Sequence, residues 1–273
     1  MSSSDLRAAF SRAASDGRAA LVPYLVAGRP TSTDTVELVR AAEASGADVI
    51  ELGVPFSDPL ADGETIRNAT RAALDAGMTV AGCLEIVRAA RAAGVTVPIV
   101  LMGYVNPLAA YGIERFCADA GAVGVDGLIV PDMPLEEAAV LRESAAAAGV
   151  GVTFLVTPVT SDDRIAELAA ASTGFLYCVA TTGTTGVRAD VDPRTVELLA
   201  RVRGLAGDTP VAVGFGVSTP AHVAALAPHA DGVIVGSALV ALVEQDAAGF
   251  PAEVQRLAAA TQHGVGVASA PQS

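Results

Sequence analysis

An α/β barrel of eight strand–helix units is the fold that this sequence predicts, on three observations. Short β-branched runs alternate with helix-length segments rich in Ala, Leu, Glu and Arg along the chain. The runs are apolar at nearly every position, as parallel strands are when both faces are covered. Eight such units fit within 273 residues, and a closed (β/α)₈ barrel, the TIM-barrel architecture, takes about 250.

Taken in order, Ser4–Ser15 reads as an extra N-terminal helix ahead of the first strand. The strands follow at Leu21–Ala27, Asp48–Leu52, Pro98–Met102, Gly127–Val130, Gly151–Val156, Phe175–Val179, Val211–Phe215 and Gly232–Val235. Gly46, Gly94, Gly124 and Gly149 stand where helices have to stop before the next strand. Glu64–Ala76 is a second helix, inserted between strand two and its regular partner, which begins near Thr79. Its Ile66, Ala69 and Ala73 place an apolar stripe on one face. No linker composition interrupts the pattern, so residues 1–273 read as one domain, with the small polar tail after about residue 263 expected to be disordered.

Composition narrows the function. A net charge of −13 with no basic cluster makes a nucleic-acid partner unexpected. No apolar run approaches the roughly 18 residues of a membrane helix, and the N-terminus lacks the basic and apolar regions of a secretion signal. A soluble, cytoplasmic protein is expected. Cys83, Cys117 and Cys178 have no metal-ligand spacing and read as buried thiols. All 17 basic residues are Arg, which excludes a lysine Schiff base and a P-loop lysine. The three histidines, His222, His229 and His263, lie in the last quarter, away from the expected active-site edge. The chemistry left is that of carboxylates, with no metal and no cofactor.

In this fold, catalytic groups sit at the C-terminal ends of the strands. The segment after strand two, Glu51 to Gly63, holds three carboxylates, two prolines and two glycines, more than a plain connection needs. Glu51 closes the strand and points into the barrel mouth, where apolar surroundings raise a carboxyl pKa toward neutrality; a structural strand-end Glu is the alternative. Asp62, before Gly63, fits a turn or the cap of the inserted helix, and its spacing favours the cap. Gly214-Phe215-Gly216 after strand seven and Gly236-Ser237 after strand eight fit a phosphate site formed by glycine-rich loops and a helix N-terminus. Thr182 to Arg188, after strand six, has the composition of a lid. Together these describe acid–base chemistry on a small phosphorylated molecule.

The segment Glu51-Leu52-Gly53-Val54-Pro55-Phe56-Ser57-Asp58-Pro59-Leu60-Ala61-Asp62-Gly63 resembles the hallmark of tryptophan synthase alpha chains. The resemblance continues through Pro23-Tyr24, Ala27 to Pro30, Leu101 to Pro107, Pro131 to Pro134, Gly214 to Ser218 and Val235 to Ala238. It implies a lyase that splits indole-3-glycerol phosphate into indole and glyceraldehyde 3-phosphate in tryptophan biosynthesis. Glu51 would be its acid–base catalyst, and Asp62 the second catalytic carboxylate, in place of the cap that spacing favours. Thr185 would fix Asp62 when the lid closes. Gly186, Gly216, Gly236 and Ser237 would hold the phosphate, and Tyr24, Met102, Ile129, Leu155, Tyr177 and Phe215 would line the indole pocket. Pro55, Phe56 and Asp58 would face a beta chain in an alpha2–beta2 heterotetramer. A free-standing lyase and a weakly catalytic allosteric partner of a beta chain are the alternatives. Glu64 replaces the Pro common in relatives and is expected to raise the Asp62 pKa by repulsion.

Overall fold

The computed structural model describes residues 3–180, 191–214 and 216–262. Helix α1 (Ser3–Ser15) leads into β1 (Ala20–Val26), α2 (Ser32–Ala44) and β2 (Ile50–Gly53). Two helices, α3 (Glu64–Asp75) and α4 (Val80–Ala92), precede β3 (Ile99–Met102), and two more, α5 (Val105–Tyr111) and α6 (Ile113–Val123), precede β4 (Gly127–Ile129). Next come α7 (Ala139–Ala147), β5 (Gly151–Thr153), β6 (Leu155–Val156), α8 (Asp162–Ala171) and β7 (Leu176–Val179). The chain finishes with α9 (Pro193–Leu205), β8 (Val211–Gly214), α10 (Pro220–Leu226), β9 (Gly232–Val235), α11 (Ser237–Asp246) and α12 (Phe250–Ala259).

All pairings between these strands are parallel, in the order β5-β4-β3-β2-β1-β9-β8-β7-β6. The two ends of that order, β5 and β6, are joined through Phe154 alone, so the sheet curls into a barrel. The single fifth strand expected over Gly151–Val156 is therefore two short pieces. The reason lies in where its backbone donors go: Val152 N–H bonds Thr173 Oγ1 (2.8 Å) and Phe154 N–H bonds Ser172 Oγ (3.1 Å). Those side chains take places a strand neighbour would otherwise fill. The other strands start or end within two residues of expectation. The single helix expected after strand three divides into α5 and α6 at Gly112, whose φ of +95° a left-handed position requires. Gly46, Gly94, Gly124 and Gly149 all have positive φ, as helix stops do.

Apolar residues fill two layers. Leu21, Leu25, Ile50, Leu52, Ile99 and Leu101 face outward from the strands onto the helices. The alternate residues face inward, and the N-terminal end of the barrel is plugged by Leu6, Phe10 and Ala13 of α1. Glycines leave room for the plug: a Cβ on Gly174 would lie 2.5 Å from Leu6 Cδ2, and one on Gly232 2.6 Å from Phe10 Cε1. From Phe10 an aromatic column rises through Phe175 (5.2 Å) to Tyr177 (6.4 Å).

The same end is tied by three carboxylates, each just ahead of a strand and bonded to the backbone N–H of the strand beside it. Asp48 accepts from Leu21, Asp126 from Ile99 and Asp231 from Val211, each at 2.8 Å. Arg18, Arg91 and Arg203 complete these clamps at 2.6, 2.6 and 3.2 Å. Asp126 is fully buried, and removing one partner of a buried pair strands the other charge. Asp126→Ala is expected to lower the unfolding free energy by about 3 kcal/mol in urea denaturation. Asp16→Ala, on the exposed Arg18–Asp16 pair (3.5 Å), is expected to change it by less than about 1 kcal/mol.

Candidate active site

With one end plugged, the C-terminal ends of the strands form the open mouth. Glu51 lies in β2 with Tyr24 of β1 and Val100 of β3 as its register neighbours, so it shares their inward face. It is 1% exposed, and among the described residues neither carboxylate oxygen has a hydrogen-bond partner. Burial raises its pKa to about 8, with the nearby charge of Asp62 adding to the effect. At neutral pH Glu51 is therefore a protonated acid, held without a partner.

Asp62 stands immediately before α3. The cap expected of it on spacing is not made: Gly63 is the N-cap, with no side-chain hydrogen bond to the helix. The Asp62 carboxyl instead interacts with the Tyr104 hydroxyl, whose influence favours its charged form. Its pKa is raised to about 6; burial drives it up, while the Tyr104 hydrogen bond and the charge of Arg67 hold it down. The repulsion expected from Glu64 is not the cause. Burial, the Tyr104 hydroxyl and Arg67 account for the shift, and Glu64 contributes nothing to it.

Tyr104 is the functional residue that reading the sequence missed. It is buried at the entrance of α5, accepts from Ala61 N–H at 3.0 Å and packs its ring on Phe56 at 5.5 Å between centroids. Its position one residue beyond the Met102-Gly103 end of strand three was the available signal, since that is where barrel-mouth side chains sit.

Tyr24 and Tyr177 flank Glu51 and are both buried. Burial pushes both phenols far above their usual range, so they stay neutral. A Cβ on Gly53 would fall 2.0 Å from the Tyr24 hydroxyl oxygen, and one on Gly214 2.2 Å from that of Tyr177. Gly214 therefore gives space to a tyrosine ring. Met102 and Ile129 belong to the same interior cluster, and Leu155 packs against it.

Across the mouth, Gly236 is the N-cap of α11, Ser237 opens that helix, and no side chain caps it. Gly216 has a φ of +85°. Gly236 also lies over Tyr24 and Ile66: a Cβ there would be 3.7 Å from Tyr24 Cβ and 3.8 Å from Ile66 Cδ1. Arg29 ties α11 to the loop after β1 through both oxygens of Glu244. Thr185, Gly186 and Phe215 lie outside the described residues. Pro55 is buried within the chain, Phe56 is half-buried against Tyr104, and Asp58 is exposed. Leu60, two residues on, is 88% exposed. Among the described residues no group of three or more His, Cys, Asp or Glu is arranged to hold a metal ion.

Two carboxyl groups at one mouth, with values near 8 and 6, provide a proton donor and an anion at the same pH. Residues 10–268 match the family model described as tryptophan synthase alpha chain. The alpha chain from Chloroflexus aggregans is 48% identical over 258 residues, covering 93% of this chain and 96% of its own. That from Halorhodospira halophila is 49% identical over 240 residues, covering 88% and 87%. The structure is similar to tryptophan synthase from M. tuberculosis (TM-score 0.86, 40% identity, covering 94% and 98%). It is also similar to a chain of the tryptophan synthase a2b2 complex from Pyrococcus furiosus (TM-score 0.83, 39% identity, covering 88% and 98%). With the match running along nearly the whole sequence and the same barrel beneath it, this chain belongs to the tryptophan synthase alpha chain family, the lyases that cleave indole-3-glycerol phosphate.

Proposed function

We propose that Glu51 and Asp62 are the acid–base pair of this cleavage, and the unpartnered, buried carboxyl of Glu51 is the observation that carries the reading. Protonated Glu51 donates to C3 of the indole ring, which makes that carbon a leaving group. The Asp62 carboxylate accepts the indole N–H and offsets the positive charge that spreads onto nitrogen. The glycerol hydroxyl then gives its proton to the Glu51 carboxylate as the carbon–carbon bond breaks. Indole and glyceraldehyde 3-phosphate leave, and Glu51 is protonated again.

Gly216, Gly236 and Ser237, with Gly186, form the phosphate site in this reading. The support is the uncapped N-terminus of α11, whose N–H groups and dipole favour an anion. Tyr24, Met102, Ile129, Leu155, Tyr177 and Phe215 enclose the indole ring, and Thr185 holds Asp62 when its loop closes. The chain works in the cytoplasm as half of an alpha2–beta2 assembly, with Pro55, Phe56 and Asp58 toward the beta chain. The exposed Leu60 beside Asp58 supports that face, as does the similarity to the Pyrococcus complex. No helix among the described residues is long and apolar enough to cross a membrane.

Indole release from indole-3-glycerol phosphate, measured with and without an added beta chain, tests the assignment directly. Glu51→Gln is expected to cut turnover by about 10²–10⁴-fold while leaving the melting temperature near that of the parent, because the replaced group is already neutral. Near-normal turnover in that variant would remove Glu51 from the mechanism. Because Glu51 has to be protonated and Asp62 ionised, kcat/KM should trace a bell, falling below about pH 6 and above about pH 8. Tyr104→Phe removes the hydroxyl hydrogen bond to Asp62 and is expected to lower kcat/KM by about tenfold, read from steady-state rates at pH 7.

A further inference from the structure

On the reading above, Asp62 has to remain an anion, and its surroundings oppose that. Glu51 of β2 adds repulsion when ionised, and Tyr24 of β1, Tyr177 of β7 and Tyr104 ahead of α5 contribute only neutral hydroxyls. Asp132 acts on Tyr104, and Glu64 faces solvent. Among the described residues the cation that acts on Asp62 is Arg67.

Arg67 occupies the fourth position of α3, where its backbone N–H bonds Gly63 O at 3.0 Å. Its Nη1 reaches back to donate to the main-chain oxygen of Asp62, also at 3.0 Å. Nothing else in the local structure asks for a cation here. A helix N-terminus disfavours positive charge, and the first turn already carries Glu64. Among the described residues Arg67 makes no ion pair, whereas Arg71, one turn on, pairs with Asp75 at 3.6 Å. The helix is seated independently of Arg67, through Ile66 against Gly236 and through buried Ala69, Thr70 and Ala73. The next residue after Ile66 points about 100° away, which carries Arg67 to the flank of the helix and leaves its guanidinium free to turn back.

We propose that Arg67 is a positioning residue for the lyase reaction: its guanidinium pins the main chain at Asp62 and supplies the counter-charge that keeps the Asp62 carboxylate in its N–H-accepting form. The proposal rests on the assignment of Asp62. It adds a second interaction to it, made by an exposed residue through the main chain at Asp62.

The test is the pH dependence of kcat/KM for indole-3-glycerol phosphate, using the full chain with its beta chain. Arg67→Gln, Arg67→Lys and Asp62→Asn are compared with the parent, together with melting temperatures. Arg67→Gln is expected to move the acidic limb up by about half a unit to one unit, lowering kcat/KM near pH 6 by about 2- to 5-fold. The alkaline limb, set by Glu51, stays in place, and Arg67→Lys restores most of the acidic limb. An acidic limb unchanged in Arg67→Gln overturns the proposal, even if turnover or melting temperature falls, because a merely structural residue would behave that way. Asp62→Asn separates the two levels. If it is inactive while Arg67→Gln keeps the parent profile, only the role of Arg67 fails; if it retains parent activity, the reading of Asp62 fails and Arg67 with it.

Discussion

Keeping the Glu51 carboxyl out of water with no partner for either oxygen among the described residues costs several kcal/mol if it is charged and much less if it is neutral. The barrel therefore selects the protonated form, and with it the direction of proton flow at neutral pH. Much of the mouth serves that selection. Tyr24 and Tyr177 cover the carboxyl with rings while remaining neutral themselves. Gly53 and Gly214 give up side chains so that those rings fit. Asp62 lies in a similar setting, but its charged form is favoured by the Tyr104 hydroxyl and the Arg67 charge. Two carboxyls less than a barrel width apart are driven to different protonation states by unequal access to donors and solvent.

The opposite end of the barrel supports this arrangement without taking part in it. The α1 plug and the clamps through Asp48, Asp126 and Asp231 hold the strand starts in register. Stability and chemistry thus occupy opposite ends of the same strands, and Asp126 and Glu51 show the contrast. Both are buried carboxyls, but Asp126 meets Arg91 and the Ile99 N–H, whereas Glu51 has no hydrogen-bond partner among the described residues.

The strands and helices were largely legible because continuous apolar runs and glycine stops are local signals. The break at Phe154 was not, since it depends on hydroxyls of Ser172 and Thr173, about twenty residues downstream. Glu51 was legible from its place at a strand end. Asp62 was not legible from spacing alone: a residue ahead of a helix reads as its cap, and only the observed geometry shows Gly63 holding that position. Tyr104 carried no pattern of its own, and its role appears only when the loop holding Ala61 folds back over it. Gly214 reads in sequence as part of a phosphate loop, because a glycine that makes room for a ring looks no different from one that approaches a ligand.

The seat of α1 has a consequence for how the molecule is made. Leu6 rests where Gly127 and Gly174 leave space, Phe10 rests over Gly232, and Arg7 bonds Ser172, Thr173 and Thr209. This helix is therefore made well before its seat is complete, since that seat is built from strands synthesised more than a hundred residues later. Contacts of such long sequence separation form slowly, and until they form, the apolar face of Leu6, Phe10 and Ala13 stays uncovered. Until β9 is made, the seat of α1 is incomplete, and its apolar face is open to the non-native contacts that lead to aggregation.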